Sequence, residues 1–279
     1  MSNYPPVSGP SAEDDPLLAQ LLEELRDRHN DAIAGILLYG SCLRSGNIYD
    51  GLLDLYLVCD NYRATYGAGP LAVANWLLPP NVFYAESSRE GKTLRSKVTV
   101  ISLADFRRGC SMAWFESYIW GRFAQPTLIL YARDASVREN LEHSLLEAAR
   151  TLLRRSLPAL PAEGTVAALW EQSLALSYAT ELRTERSGRA SELARSAADF
   201  YRAVTLLHAN SLDVDFRTYE AQGELCYRSG AGALQRGRCH LAWASRRVQG
   251  KLMSISRLVK ALFTFQGGLD YIAWKLERH

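Results

Sequence analysis

The chain reads as an α/β fold built on a mixed sheet, followed by an all-helical C-terminal domain, and three observations carry that reading. Short, continuously apolar runs at 33–39 and 52–58 have the length and character of buried strands. Around them, apolar residues recurring every three to four positions mark amphipathic helices. A Pro-containing hinge at 156–165, SLPALPAEGT, then separates this alternating half from one dominated by helical periodicity. The expected divisions are a disordered tail over 1–15, an α/β domain over 16–133, and a helical domain over 134–279 that ends in a basic amphipathic segment.

Each element follows from its own residues. The tail is Pro-, Ser- and acid-rich without periodicity. Leu17, Leu18, Leu21, Leu22 and Leu25 share one helical face. Ile33–Tyr39 is the first strand, broken by Gly40-Ser41, and Leu52–Val58 is its neighbour, with Asp54 the single carboxylate in an apolar run. Leu71–Leu78 forms a helix that Pro79-Pro80 stops. Val82–Glu86 and Thr93–Ile101 pair around the polar turn SSREGK. Ser102 and Asp105 cap a long helix over 103–123, and Pro126 precedes the strand Thr127–Tyr131. Ser136 and Glu139 are a capping pair for a helix running to about Arg155. The runs 165–184, 190–210, 230–249 and 251–265 then read as helices, with a polar connection near 211–224.

Composition narrows the function. With 32 Lys+Arg against 30 Asp+Glu, the formal net charge of +2 supplies little long-range field, so a nucleic-acid groove is not expected. The five cysteines (Cys42, Cys59, Cys110, Cys226, Cys239) are scattered and never form C-x-x-C, which favours reduced thiols over a zinc cluster. The five histidines have no ligand-like spacing, and no serine sits in a G-x-S-x-G elbow, so zinc-enzyme and hydrolase readings fail. No basic-then-apolar leader opens the sequence, and no apolar run approaches the roughly 18 residues of a membrane span. A cytoplasmic protein is expected, with any membrane contact peripheral.

The strand ending Tyr39-Gly40-Ser41, with Asp54 on the next strand, is an arrangement suited to nucleotidyl transfer. Glycine lets the backbone approach a phosphate, and the serine hydroxyl can hold triphosphate oxygens. A strand-borne carboxylate can hold Mg²⁺, which neutralises the triphosphate and stabilises departing pyrophosphate. The usual D-x-D pair is absent, since Leu52 and Tyr56 flank Asp54 at two residues' distance. Asp50 and Glu181 are the candidate second carboxylates. Taken without further context, Asp54 is equally able to cap or to pair with an arginine, and Lys97 to be a solvated strand charge.

Several ordered segments resemble the mitochondrial-type phosphatidate cytidylyltransferases, CDP-diacylglycerol synthases with bacterial relatives. Tyr39-Gly40-Ser41 resembles that family's Y-G-S-G with Cys42 in place of the second glycine, and Asp54-Leu55-Tyr56 resembles its single-aspartate strand. The segment 97–102, KVTVIS, is similar to K-Y-G-V-I-S, and 120–126, WGRFAQP, to A-G-R-L-x-K-P. In the helical half, 176–183, LSYATELR, resembles L-S-Y-x-x-D-x-R with Glu181 for the aspartate. The resemblance spans roughly 33–265. It implies a nucleotidyltransferase-like fold, CTP and phosphatidic acid as substrates, CDP-diacylglycerol and pyrophosphate as products, and Mg²⁺ or another divalent cation as cofactor. It implies catalytic roles for Asp54, Lys97 and Glu181, and nucleotide or phosphate contacts from Tyr39, Gly40, Ser41, Arg122, Tyr178 and Arg183. Arg122 is equally suited to closing its own helix, and Glu181 to a salt bridge.

The C-terminal stretch 246–279 is basic, with apolar residues near one helical face and aromatic Phe263, Phe265, Tyr271 and Trp274. It suits core packing, the inner face of an anionic membrane, or a lipid-phosphate contact through Arg257, Lys260 and Thr264. Two rival functions remain open: nucleotidyl transfer to a phosphonate, sugar phosphate, drug or protein, and non-catalytic binding of a nucleotide or lipid.

Overall fold

The computed structural model describes residues 3–29, 32–182 and 188–264. The chain divides into two compact units that interleave along the sequence, in place of the expected single cut after residue 133. A sheet unit comprises 8–107, 127–141 and 256–279, and a helix-rich unit comprises 1–7, 108–126 and 142–255.

In the sheet unit, α1 (Pro16–Asp27) starts where the Asp15 carboxylate accepts the Leu17 and Leu18 N–H groups at 3.0 and 2.9 Å. Its five leucines, all buried, face β3 (Asn81–Arg89) and β4 (Lys92–Ser102). Truncating one of them, such as the fully enclosed Leu18, should cost about 3 kcal/mol. With β1 (Ile33–Tyr39), β2 (Leu53–Cys59) and β5 (Leu128–Ala132) these strands form a five-stranded mixed sheet in the order β3-β4-β2-β1-β5. Only the β2/β4 pair is parallel. The parallel crossover from β2 carries α3 (Tyr62–Tyr66), α4 (Pro70–Leu77) and β3. β3 returns to β4 through Glu90-Gly91, both at positive φ, the two-residue turn whose twist suits a hairpin. Between β1 and β2 lies the short α2 (Ser41–Ser45), and α5 (Leu103–Cys110) follows β4 with the expected Ser102/Asp105 cap.

The helix-rich unit holds α6 (Trp120–Phe123), most of α7 (Ala135–Ser156), α8 (Val166–Tyr178), α9 (Arg189–Ser196), α10 (Ala198–His208) and much of α11 (Ala233–Thr264). Its core stacks Trp170 on Tyr201 at 4.4 Å and sets Trp120 edge-on to Trp243 at 5.8 Å.

Several expectations need correction. The C-terminal half is not all helical: β6 (Glu163–Thr165), β7 (Asp215–Ala221) and β8 (Glu224–Gly230) form an antiparallel sheet in the order β6-β8-β7. The span read as a polar connection is a hairpin, because Gln222-Gly223 takes positive φ at both positions and Phe216 stacks on Tyr227. The helix expected over 103–123 breaks after Cys110, where the Ser111 hydroxyl donates to the Arg108 carbonyl and accepts the Ala113 N–H, competing with the helical ladder. The cap of α7 is Asp134, whose carboxylate accepts the Val137 N–H at 2.8 Å, and Ser136 lies inside the first turn. The two helices expected over 230–265 are one, and the run 190–210 breaks at Ala197. Within 3–15, the Tyr4 ring meets Phe200 at 5.7 Å, and Gly9 lies so close to Leu43 and Leu128 that a β-carbon would come within 2.8 Å of each.

Candidate functional site

At the end of β1 the chain turns through Gly40, at φ 92° and ψ −154°, a conformation that a residue with a β-carbon rarely takes. A methyl group there would also lie 2.7 Å from Asp54 Oδ2. Glycine is therefore required twice, by the backbone and by the carboxylate pressed against it. Ser41 follows, exposed, as the first residue of α2, where the leading N–H groups of a helix have no intrahelical acceptor.

Strand register extends this corner into a row. Tyr39 pairs with Asp54, Asp54 with Lys97 and Lys97 with Tyr84, so four side chains from β1, β2, β4 and β3 stand side by side on one face, at the roughly 4.8 Å spacing of adjacent strands. Asp54 is half-buried and Lys97 exposed. The Tyr39 ring is held edge-on at 5.5 Å by Tyr56, which is fully enclosed. Two residues along β3, on the same face, Glu86 accepts the Tyr84 hydroxyl at 2.6 Å and lies 3.7 Å from Arg95 Nε. Burial, reinforced by that carboxylate, pushes the Tyr84 phenol above its ordinary range. Tyr84 and Glu86 were missed by sequence reasoning although the hairpin announces them. With Arg89 opposite Lys92 across the turn, Tyr84 must face Lys97 and Glu86 must face Arg95.

The remaining expected residues fall elsewhere. Asp50 is exposed in the loop before β2. In the helix-rich unit, Arg122 Nη2 lies 3.2 Å from Glu181 Oε1, both partly buried, and the guanidinium sits 4.2 Å over the Tyr118 ring. The helix expected to run to 184 ends at Tyr178, so Tyr178 and Glu181 do not share a helical face. Beyond it, Thr180 hydrogen-bonds Ser117 at 2.6 Å and the Ser177 carbonyl at 2.7 Å, drawing the chain out of the helix. Gly121 and Gly250 permit that turn, since a β-carbon on Gly121 would meet Ser177 at 2.9 Å and one on Gly250 the Thr180 carbonyl at 2.5 Å. Glu181 and Asp54 thus belong to different units, and the structure pairs Glu181 with an arginine. Arg183 lies outside the described residues, as do Phe265, Tyr271 and Trp274.

The basic residues of α11 in the sheet unit are turned to a structural task. Lys260 Nζ donates to the Leu78 and Pro80 carbonyls at 2.5 and 2.6 Å, and Arg257 Nε donates to the Pro79 carbonyl at 3.2 Å. The Thr264 hydroxyl donates to the Lys260 carbonyl at 3.1 Å. These cations satisfy carbonyls at and beyond the C-terminus of α4, a favourable place for positive charge. Burial, then Arg257, brings the Lys260 ammonium down to about 8. All three residues hydrogen-bond within the protein, where the sequence leaves core packing, membrane contact and lipid-phosphate contact open for this stretch.

Asp54 meets the chemistry of a Mg²⁺ ligand, a carboxylate beside a glycine turn. Mg²⁺ commonly takes only one or two protein carboxylates and completes its shell with phosphate and water. Among the described residues, no group of three His, Cys, Asp or Glu side chains is placed to hold a metal. All five cysteines are free thiols, four of them buried. The described residues contain no helix long and apolar enough to cross a membrane. The chain matches no family model and no curated protein, so the resemblance rests on the motifs themselves.

Proposed function

We propose that the protein is a nucleotidyltransferase that joins CTP to phosphatidic acid, giving CDP-diacylglycerol and pyrophosphate. The observation that carries this reading is the row Tyr39, Asp54, Lys97, Tyr84, closed at one end by a glycine that only a carboxylate neighbour and a positive φ explain. A phosphate oxygen of phosphatidate attacks the α-phosphorus of CTP, the bond from that phosphorus to the bridging oxygen breaks, and pyrophosphate leaves. The attacking phosphate is already ionised near neutral pH, so the protein need only position the groups and neutralise charge. Asp54 would hold Mg²⁺, which when bound neutralises the triphosphate. Ser41 and the backbone at Gly40 would contact phosphate oxygens, and Lys97 would add the cation.

Membrane association is part of the proposal. Through α11, Leu252, Ile255, Leu258, Val259 and Phe263 are exposed, with Arg247 and Lys251 beside them, and residues 233–264 contain no Asp or Glu. An apolar stripe among cations suits the inner face of an anionic membrane. A second acceptor class has one observation in its favour: Glu86 stands on the row's face and could take the proton of a hydroxyl acceptor, as phosphatidate would not require.

The test is incubation of the full chain with Mg²⁺, labelled CTP and phosphatidate in detergent beside Asp54→Ala. Label extracted into lipid only with Asp54 present is the expected result. Pyrophosphate release with a hydroxyl acceptor and none with phosphatidate would move the reading to the second class. No metal-dependent product with any acceptor would reduce the protein to a binding role.

A further inference from the structure

A cavity of about 660 Å³ in the sheet unit lies away from Asp54. It opens where β2 and β4 end, bounded by α3, α4 and the first turn of α5. Its Asp60, the residue after β2, lies six residues from Asp54, about 20 Å at the rise of a strand. Small residues make the space: Gly67, Ala68, Gly69, Ala72 and Ala104 line it, so helix and turn backbones form much of the wall.

Most polar groups at this cavity are already engaged. Asp60 receives both terminal nitrogens of Arg133, at 2.7 and 3.0 Å. Asp105 accepts the Tyr62 hydroxyl at 2.6 Å and the Ser102 hydroxyl at 3.2 Å. The Asn61 side-chain amide oxygen caps α3 by accepting the Ala64 N–H. Two lining side chains stand apart. Arg63 is exposed and makes no hydrogen bond or ion pair among the described residues, and Trp76 is 70 % exposed with its indole unstacked and its N–H unpaired.

We propose that this cavity binds a flat aromatic anion, of a size up to a nucleoside monophosphate, with its ring on Trp76 and its acidic group on Arg63. The volume lies in the range of small-molecule sites, which pair an apolar wall with few polar groups. The chemistry is complementary on both counts. An indole face left open to water gains by stacking a planar ring, and a guanidinium matches a carboxylate, sulfonate or phosphate through two parallel N–H donors. The two acidic side chains at the cavity do not oppose an anion as free charges would, since Arg133 neutralises Asp60 and two hydroxyl donors hold Asp105. This site is independent of the reaction proposed at Asp54.

The experiment titrates the full chain with anilinonaphthalene sulfonate, and in parallel with phenylnaphthylamine, which has the same rings without the sulfonate, following probe fluorescence. The expected result is one saturable site for the anionic probe, weakened about tenfold by Arg63→Gln, which leaves the neutral probe unaffected. Trp76→Ala should weaken both probes, and Asp54→Ala should change neither. Both altered positions are exposed, so the fold is expected to stand, with thermal midpoints as the check. Binding unchanged in Arg63→Gln and Trp76→Ala would overturn the proposal, as would binding abolished by Ile255→Ser with Val259→Ser on α11. Equal sensitivity of both probes to Arg63→Gln would overturn the anionic part.

Discussion

The buried arginines of the helix-rich unit and the lysine beside Asp54 in the sheet unit stand in opposite surroundings. In the helix-rich unit Arg155 and Arg246, only 7 and 5 % exposed, have no carboxylate partner among the described residues. They donate to the carbonyls of Met112, Trp114 and Phe115 and lie against the rings of Trp120, Phe115 and Trp243. Burial brings both guanidinium groups down to about 10, and the like charge of Arg246 adds to the effect at Arg155. Arg122 is likewise closed on Glu181. In the sheet unit Lys97 is exposed beside Asp54 and makes no hydrogen bond or ion pair among the described residues. Cations in the first unit act as scaffold, holding a broken helix in place. Under the proposed function, Lys97 on the sheet acts as a reagent.

The sharpest way to break this contrast compares two carboxylates. Asp54→Asn keeps shape and loses charge, so nucleotidyl transfer should fall about a thousandfold while the thermal midpoint hardly moves. Glu181→Gln should cost activity about tenfold at most and stability about 1 kcal/mol, because its partner is a partly buried arginine. Equal losses of activity in both variants would erase the distinction between reagent and scaffold.

Next in size is Arg155→Met. It strips a donor from three carbonyls in the segment between α5 and α6, of which Phe115 keeps Arg246 and Trp114 keeps the Trp120 indole N–H, so the loss falls mainly on the Met112 carbonyl and should cost about 2 kcal/mol, read by urea unfolding. Arg63→Met, at an exposed arginine without a partner among the described residues, should stay within about 0.5 kcal/mol.

How much of this was legible differs by element. The strands of the sheet unit were readable because their apolar runs are continuous, and Asp54 stood out as the charge that such a run should not contain. Gly40 was readable as a turn, but its contact with Asp54 needs the register of β1 on β2. The small sheet was missed because β7 and β8 are half-exposed and read as polar. Only the Gln222-Gly223 turn and the alternating Phe216, Thr218, Leu225 and Tyr227 betray them. The break after Cys110 was beyond reach, since the arginines that hold it come from positions 155 and 246. Likewise, nothing in the basic run of α11 says that Lys260 turns back to the carbonyls of residues 78 and 80.

A buried histidine then offers a pH test of the helix-rich unit. Burial, and behind it the charge of Arg150, brings His208 down to about 4, against roughly 6.5 when unfolded. Between those values the unfolded chain binds more protons, so stability is full above pH 6.5 and declines as pH falls through the window, by about 3 kcal/mol near pH 4. His29 in the sheet unit, also lowered by burial, adds a loss of the same sign. Replacing His208 with Gln should flatten the slope of urea midpoint against pH, and a slope unchanged by that substitution would place the acid sensitivity elsewhere.

The smallest effect concerns Lys97 and bears most directly on the contrast. It stands on an interior strand of the sheet with neighbours on both sides, Asp54 and Tyr84, yet its ammonium is in water. Lys97→Met keeps the length and apolar stem and removes the charge, so stability should change by less than about 0.5 kcal/mol. If the lysine holds triphosphate as strongly in the ground state as in the transition state, KM for CTP should rise about tenfold with kcat nearly unchanged. A fall in kcat with KM constant would mean that its charge is felt only as pyrophosphate departs. A loss of stability with kinetics intact would make Lys97 scaffold, like the arginines of the other unit, and the contrast between the units would then rest on Asp54 alone.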